Sequence, residues 1–164
     1  MALRTLKDIY IDQLQDMYSA NTQSQQMTVK LSGAATSKGL SEALNDGVQG
    51  IQRGIDTVEK IIREHGADPT GEHCKGMEGL VKEAQAHALD EAIEDNDARD
   101  AMIITQYQRM AHYGIAGYGC LVAFANRLGL DGEAALLEKC LDGAYKGDRD
   151  MTALAKGGIN EAAA

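Results

Sequence analysis

The sequence predicts an all-α protein, arranged as a four-helix bundle with one additional short helix in its long connection. Apolar residues recur at three- and four-residue spacing through four long segments and one short segment. The 164 residues contain a single proline and few β-branched runs, and both features disfavour strands. No repeat, linker or low-complexity segment divides the chain. We therefore expect a single domain over residues 1–164.

The first two predicted helices are separated by a short turn. The first spans about Thr5–Leu31, and Gly33 lies where a glycine commonly ends a helix. Ser37 is a good N-cap for the second helix, because its hydroxyl can accept from a free backbone N–H of the first turn. That second helix is predicted to end near His65, with Gly66 as its stop.

A connector and a short helix come next. The connector Ala67–Lys75 contains the only proline, and the short helix is predicted over about Lys75–Ile93. The acidic turn Glu94–Asp97 then separates this helix from the next one. We expect Asn96 or Asp97 to be the N-cap that starts the following long helix.

The longest predicted helix spans Ala98–Gly129 and carries the longest apolar run. Its apolar face includes Ala111 and Gly114, and a mid-helix glycine costs roughly 0.5–1 kcal/mol relative to alanine, so it needs a reason. The last helix is predicted from an N-cap at Asp131 to the glycine pair at residues 157–158. Residues 157–164 are then expected to form a frayed C-terminal tail.

The charge and the cysteines restrict the classes of function. The net charge of −9 and the isoelectric point near 4.8 repel phosphate backbones, so we expect no nucleic-acid partner. No basic cluster or long apolar run favours a membrane, and the N-terminal sequence lacks a signal-peptide core. Three widely spaced cysteines fit a reducing compartment better than a disulfide framework. A cytoplasmic protein is therefore expected.

Three stretches resemble one known family. They are LKDIYIDQLQDMYSANTQ at Leu6–Gln23, CKGMEGLVKEA at Cys74–Ala84 and RDAMIITQYQRMAHYGIAGYG at Arg99–Gly119. The chain is similar over nearly its whole length to the YciE/YciF-type ferritin-like proteins, bacterial proteins associated with stress responses. The resemblance implies a ferritin-like bundle and a homodimer. For many members it also implies a di-metal site built from carboxylates.

The ligand positions implied by the resemblance hold neutral residues on the first two helices. The first-helix motif of the family ends in Tyr-x-Ala-Glu, whereas this chain reads Tyr18-Ser19-Ala20-Asn21. The second-helix motif is His-x-x-Glu-Thr-x-x-Gln, and the matching positions here are Gly47, Gly50, Ile51 and Gly54. The ligand glutamates of both helices are therefore replaced.

The last two helices show the same loss. The third family motif, Glu-His-Tyr-Glu, reads Ala111-His112-Tyr113-Gly114, and the usual Glu-Glu pair of the last helix is matched by Gly143 and Ala144. A di-iron or di-manganese site needs several inward carboxylates because hard cations require charged oxygen ligands. We therefore assign no metal ligand and no cofactor, and expect the metal centre to be absent.

The neutral centre has two interpretations, and an engineered relative without its metal site would look the same. The helices could close on the small residues, leaving a metal-free structural or binding protein. Alternatively, glycine, methionine and tyrosine side chains with Asn21 as a polar group could line a cavity for a small apolar molecule. The candidate positions for either case are Asn21, Gly47, Gly50, Gly54, Ala111, Gly114, Gly143 and Ala144, with His112, Tyr18 and Tyr118. A third hypothesis keeps iron or manganese and an oxidase or catalase-like activity through Asp16, Asp46, Asp142 and Asp148.

The remaining histidines and cysteines are predicted to be structural or surface residues. His112 is expected to be structural, His65 and His87 to lie at the surface or at helix ends, His73-Cys74 to lie in the connector, and Cys120 and Cys140 to be small core residues. No nucleophile–base set, phosphate loop or CxxC pair is present. The sequence therefore offers no positive case for an enzyme and no catalytic residue.

Overall fold

The protein is all-α, as the sequence predicts. The structure, a computed structural model, describes residues 3–164, so residues 1 and 2 of the predicted domain lie outside it. Within residues 3–164 there is no strand. The helices are α1 (Leu6–Ala34), α2 (Lys38–Glu64), α3 (Lys75–Ala84), α4 (Asn96–Arg127), α5 (Asp131–Leu154) and α6 (Asn160–Ala162). The four long helices α1, α2, α4 and α5 form the bundle, and α3 packs on α1 and α4.

The helix starts are set by side-chain caps. Thr5 and Asp8 form a reciprocal capping box at α1: the Thr5 hydroxyl accepts from the Asp8 N–H at 3.1 Å, and the Asp8 carboxylate accepts from the Thr5 N–H at 2.9 Å. At α4 the cap is Asp95, which accepts from the Ala98 N–H at 2.8 Å. The prediction of Asn96 or Asp97 is therefore wrong by one residue, because Asn96 already has helical geometry.

Two other predicted helix ends are wrong. The first helix continues through Gly33 to Ala34, because the turn that follows is held from α4 rather than by a glycine. Asp100 of α4, which is 1% exposed, accepts from the backbone N–H groups of Thr36 and Ser37 at 2.9 and 2.7 Å. α5 starts at Asp131 itself, with no side-chain cap.

The C-terminal segment is folded where a frayed tail was expected. A π-helical turn, Ala155–Ile159, follows α5, and Gly158 adopts φ +144°, a conformation that favours glycine. This turn brings Ile159, which is 9% exposed, against the apolar core. The short predicted helix likewise ends in a π-helical turn, Gln85–Asp90, so it stops before the predicted Ile93.

The bundle has two apolar cores, one at each end. The first lies around the turn between α1 and α2, and its largest fully buried side chains are Met27, Leu31, Leu40, Leu44, Met77 and Ile103. The second lies at the opposite end, with Tyr10, Leu14, Ile61, Ile62, Leu121 and Leu137 fully buried. Between the two cores lie Gly47, Gly50 and Gly54 of α2 and Ala111 and Gly114 of α4. The small residues therefore occupy one level in the middle of the bundle.

Candidate functional site: a cavity between the two cores

A cavity of about 630 Å³ lies at this middle level, between the two cores. All four long helices line it, and α3 contributes Met77. The candidate positions line it with the exception of Tyr18 and His112: they are Asn21, Gly47, Gly50, Gly54, Ala111, Gly114, Tyr118, Gly143 and Ala144. Exposed residues of α2 and α5, among them Gln49 and Gly143, belong to the same lining. The cavity therefore opens to solvent between these two helices.

Two tyrosines of α4 mark the ends of the cavity. A Cβ at Gly47 would lie 2.7 Å from the Tyr107 hydroxyl, and one at Gly147 of α5 would lie 3.1 Å from the same oxygen. At the other end, a Cβ at Gly54 would overlap the Tyr118 hydroxyl. These glycines do not leave voids, because their missing side chains make room for the tyrosines. Eleven residues separate the two tyrosines, which is roughly 16 Å along a helix.

The open space lies between the tyrosines. Among residues 3–164, and apart from its own helix backbone and chain neighbours, a Cβ built at Gly114 or Gly143 meets no atom within 4 Å. At Gly50 the neighbour is the Arg53 guanidinium, at 3.6 Å. Ala111 lies one turn before Gly114 on the same wall of the cavity. Small residues on α2, α4 and α5 together keep this part of the bundle centre open.

The polar groups of the interior are few and mostly paired. The Asn21 amide donates to the Tyr118 hydroxyl at 2.8 Å, and both side chains are buried. Burial raises the pKa of Tyr118, and the neighbouring Cys140 adds to this effect, so the phenol stays protonated. Burial also raises the pKa of Cys140, although the hydroxyls of Thr57 and Tyr118 and the positive charge of Arg53 oppose it. The interior therefore presents neutral groups at neutral pH.

The donor set does not fit the di-metal centre that the resemblance implies. Within residues 3–164, no three side chains of the His, Cys, Asp and Glu types are close enough together to hold a metal ion. Asp16 instead accepts from the Tyr113 hydroxyl at 2.9 Å, and Asp148 lies 3.0 Å from His112. Asp142 is exposed, and Asp46 lies at the cavity mouth. These four carboxylates do not converge on one point.

Two candidate residues lie outside the cavity lining. The side chain of His112 is 63% exposed and its Nε2 contacts the Asp148 carboxylate, so it faces away from the bundle centre. Tyr18 is half-buried and packs beside the second core. Each directly follows a cavity residue, Met17 or Ala111, and a shift of one residue on a helix turns the side chain to another face.

The structure corrects the prediction that both Cys120 and Cys140 are core residues, and it places His65 at the end of α2, as predicted. Cys120 is exposed, so it is not a core residue, whereas Cys140 is half-buried in the cavity wall. The side chain of His65 is only 11% exposed, because its Nε2 lies 3.1 Å from the Glu133 carboxylate, which also accepts from the Tyr10 hydroxyl at 2.7 Å. These three residues connect α1, α2 and α5 beside the second core.

Apart from Asp46, the charged residues around the mouth of the cavity were not predicted from the sequence. Arg53 and Asp46 flank Gly50 at three and four residues on α2, and Lys139 and Lys146 flank Gly143 at four and three residues on α5. Helical neighbours at this spacing lie on one face, so the positions of Gly50 and Gly143 could have located them. Asp150, one turn beyond Lys146, also lines the cavity and pairs with that lysine.

Comparison with known proteins identifies relatives over the whole chain. The protein is 32% identical to YciF of Escherichia coli strain K12 over 164 residues, which cover 99% of this chain and 98% of the relative. The crystal structure of the E. coli stress protein YciF matches with a TM-score of 0.87 and 31% identity, over 96% of this chain and 99% of the other. YcfI of Rhodopseudomonas palustris, for which a structural role has been suggested, matches with a TM-score of 0.84 and 30% identity, over 91% and 94% of the two chains.

None of the helices between residues 3 and 164 combines the length and the apolar content that crossing a bilayer requires.

The family described as a domain of unknown function, DUF892, matches residues 5–164. Together with the full-length similarity to YciF, this match shows that the chain belongs to the DUF892 family.

Proposed function

We propose that this protein is a metal-free, non-catalytic member of the YciF-like family that binds a small apolar molecule between its two cores. One observation carries the proposal: the positions at which the resemblance implies metal ligands line a cavity of about 630 Å³. That volume falls within the roughly 300–1,000 Å³ typical of ligand pockets. The lining is mainly apolar or glycine, with Asn21 and Tyr118 as the paired polar groups of the interior.

The absence of a metal centre belongs to the same proposal. Buried carboxylates without a metal would repel one another and would be costly to desolvate, so neutral residues suit a centre that no longer holds a cation. We expect protein from iron- or manganese-supplemented cells to contain far less than one metal ion per chain, as measured by inductively coupled plasma mass spectrometry. Stoichiometric iron or manganese would contradict the proposal and support an oxidase or catalase-like protein.

The binding experiment uses a matched pair of glycine variants on α4. Gly114→Leu adds a large side chain inside the cavity, while Gly119→Leu adds the same side chain outside the cavity lining, where a Cβ also meets nothing within 4 Å. The neutral fluorescent probe N-phenyl-1-naphthylamine should bind the natural protein and Gly119→Leu with equal affinity. Gly114→Leu should weaken binding at least tenfold. Equal binding by both variants, or no binding to the natural protein, would exclude the cavity as the site.

The cysteines provide a second readout. Cys140 lines the cavity and Cys120 is exposed elsewhere on the protein. Saturation with the naphthylamine probe should therefore slow alkylation of Cys140 by iodoacetamide and leave the rate at Cys120 unchanged, as followed by peptide mass spectrometry. Slowing of both rates to the same extent would indicate a change that is not specific to the cavity.

The biological setting of this proposal comes from the relatives. The E. coli relative is a stress protein by name, and we extend a stress-associated role to this chain. We also propose a cytoplasmic homodimer, on the strength of the family resemblance and the free cysteines. Light scattering coupled to size exclusion tests the dimer, and transcript abundance under osmotic and oxidative stress tests the association.

A further inference from the structure

The mouth of the cavity has more positive than negative charge. Arg53, Lys139 and Lys146 line it together with Asp46 and Asp150. Lys146 and Asp150 form an ion pair with each other. Within residues 3–164, no carboxylate lies within ion-pair distance of Arg53 or Lys139, and Asp46 is the other carboxylate of the cavity lining. The net charge of the chain is −9, so this local excess of positive charge is opposite in sign to the charge of the whole molecule.

The Arg53 side chain lies over the entrance. Its Nη2 atom lies 3.6 Å from the point where a Cβ of Gly50 would be, so the guanidinium folds back over this glycine. Burial raises the pKa of Cys140 on α5, and the positive charge of Arg53 is one of the effects that oppose this rise. Arg53 of α2 therefore acts electrostatically across the opening toward α5. Both features place the guanidinium where the cavity meets solvent.

The interior differs from the mouth in chemistry. Between the two cores, the walls are formed by Met17, Met110 and Met151 with glycine and alanine positions, and the polar atoms of Asn21 and Tyr118 are paired with each other. Such an interior offers apolar contact and little hydrogen bonding. A ligand that matches both regions has an apolar body and one negatively charged end.

Building on the proposed function, we infer that the ligand is an anionic amphiphile, with an aliphatic or aromatic body in the cavity and a carboxylate at Arg53 and Lys139. Arginine suits this end because its planar guanidinium can donate two parallel hydrogen bonds to a carboxylate. Lys139 adds a second positive charge from the opposite side of the mouth. The exposed position makes the attraction sensitive to salt, since the Debye length is about 8 Å at physiological ionic strength.

The test compares two ligands that differ only at the polar end. Decanoate and 1-decanol compete with N-phenyl-1-naphthylamine for the cavity of the natural protein. Decanoate should displace the probe at a concentration at least tenfold lower than decanol in 20 mM salt. Its advantage should shrink at 500 mM salt, while displacement by decanol should change little. Equal potency of the two ligands at low salt would overturn the inference and leave the proposed function intact.

The variants locate the charge effect. Arg53→Gln combined with Lys139→Gln should weaken decanoate at least tenfold and alter decanol less than twofold. Arg149→Gln is the control, because this arginine is exposed on α5 and does not line the cavity. If Arg149→Gln weakened decanoate as much as the double variant, the site-specific role of Arg53 and Lys139 would be excluded. Failure of the naphthylamine probe to bind at all would instead contradict the proposed function together with this inference.

Discussion

Gly54 and Gly143 lie on different walls of the cavity and use the missing side chain in different ways. At Gly54, a Cβ would overlap the Tyr118 hydroxyl, and that ring is 5% exposed and hydrogen-bonded to Asn21. At Gly143, a Cβ would meet nothing within 4 Å. One glycine makes room for a buried ring, whereas the other leaves open space at the mouth.

Substitution by alanine should therefore have opposite effects at these two positions. Gly143→Ala should raise the free energy of unfolding by about 0.5–1 kcal/mol, because alanine favours the helix more than glycine does. Gly54→Ala gains the same helix propensity, but the added methyl group overpacks the Tyr118 ring, which costs about 1–3 kcal/mol. The net effect on the free energy of unfolding should therefore be destabilising. Urea denaturation followed by circular dichroism measures both. Two changes of the same sign would show that the Tyr118 ring moves away at little cost.

The sequence shows the small residues of the cavity but not what fills the space beside them. Gly47, Gly50 and Gly54 stand out in any helical reading of α2, because mid-helix glycines are costly. That the Tyr107 and Tyr118 hydroxyls occupy the space at Gly47 and Gly54 follows from the relative heights of α2 and α4 in the bundle. No pattern within one helix encodes that height, so the sequence left open whether the helices close on the glycines or leave a cavity, whereas the structure fills the space at Gly47 and Gly54 and leaves it open at Gly114 and Gly143.

At the scale of the elements, Asp100 fixes the turn between α1 and α2 from a third helix. It accepts from the Thr36 N–H, the Thr36 hydroxyl and the Ser37 N–H at 2.7–2.9 Å. Asp100→Asn should lower the free energy of unfolding by about 2 kcal/mol, since the amide brings its own N–H donors toward these donors and hydrogen bonds to a charged group contribute about 1.5–3 kcal/mol each.

The expected fall in melting temperature is about 4–8 °C for a chain of this size. Differential scanning calorimetry measures it, and Asp142→Asn is the matched control because Asp142 is exposed. Equal melting temperatures for the two variants would show that the turn is held by other contacts.

The presence of the four long helices was predictable from the sequence, whereas several of the residues at which helices begin or end were not. The apolar spacing of α2 and the cap at Ser37 are local signals, and the structure has both. The end of α1 depends on a contact with Asp100, which is 64 residues away from Thr36. The C-terminal turn depends on burying Ile159 against the first core. Distant contacts of this kind override the local signal of a glycine.

At the scale of the whole molecule, buried tyrosines make stability depend on alkaline pH. Burial is the main cause that raises the pKa of Tyr10, Tyr107, Tyr113 and Tyr118, and it raises that of Tyr107 to about 12. The unfolded chain loses these phenolic protons near pH 10. Between pH 10 and 12, the unfolded state therefore binds fewer protons than the folded state, and stability falls as pH rises.

Each such tyrosine should contribute a loss of about 1.4 kcal/mol per pH unit across this interval. Urea denaturation at pH 8, 9.5, 10.5 and 11.5 should show no loss from this source below pH 9 and a steep loss above pH 10. Tyr107→Phe should reduce the dependence of the free energy of unfolding on pH, above pH 10, by the contribution of one tyrosine, about 1.4 kcal/mol per pH unit. An unchanged slope in this variant would show that the Tyr107 ring becomes accessible before the chain unfolds.

The cavity between the two cores affects where along the helices local opening occurs. Ordinary helices fray from their ends, but here both ends of the long helices are anchored in a dense core and the middle is not. The free energy of local opening should therefore be lowest in the middle of each long helix. In hydrogen–deuterium exchange, peptides spanning residues 47–54 and 140–147 should exchange faster than those spanning 55–62 and 131–138, and a cavity ligand should slow the middle peptides selectively. Uniform protection along each helix would mean that the two ends open as a single cooperative unit.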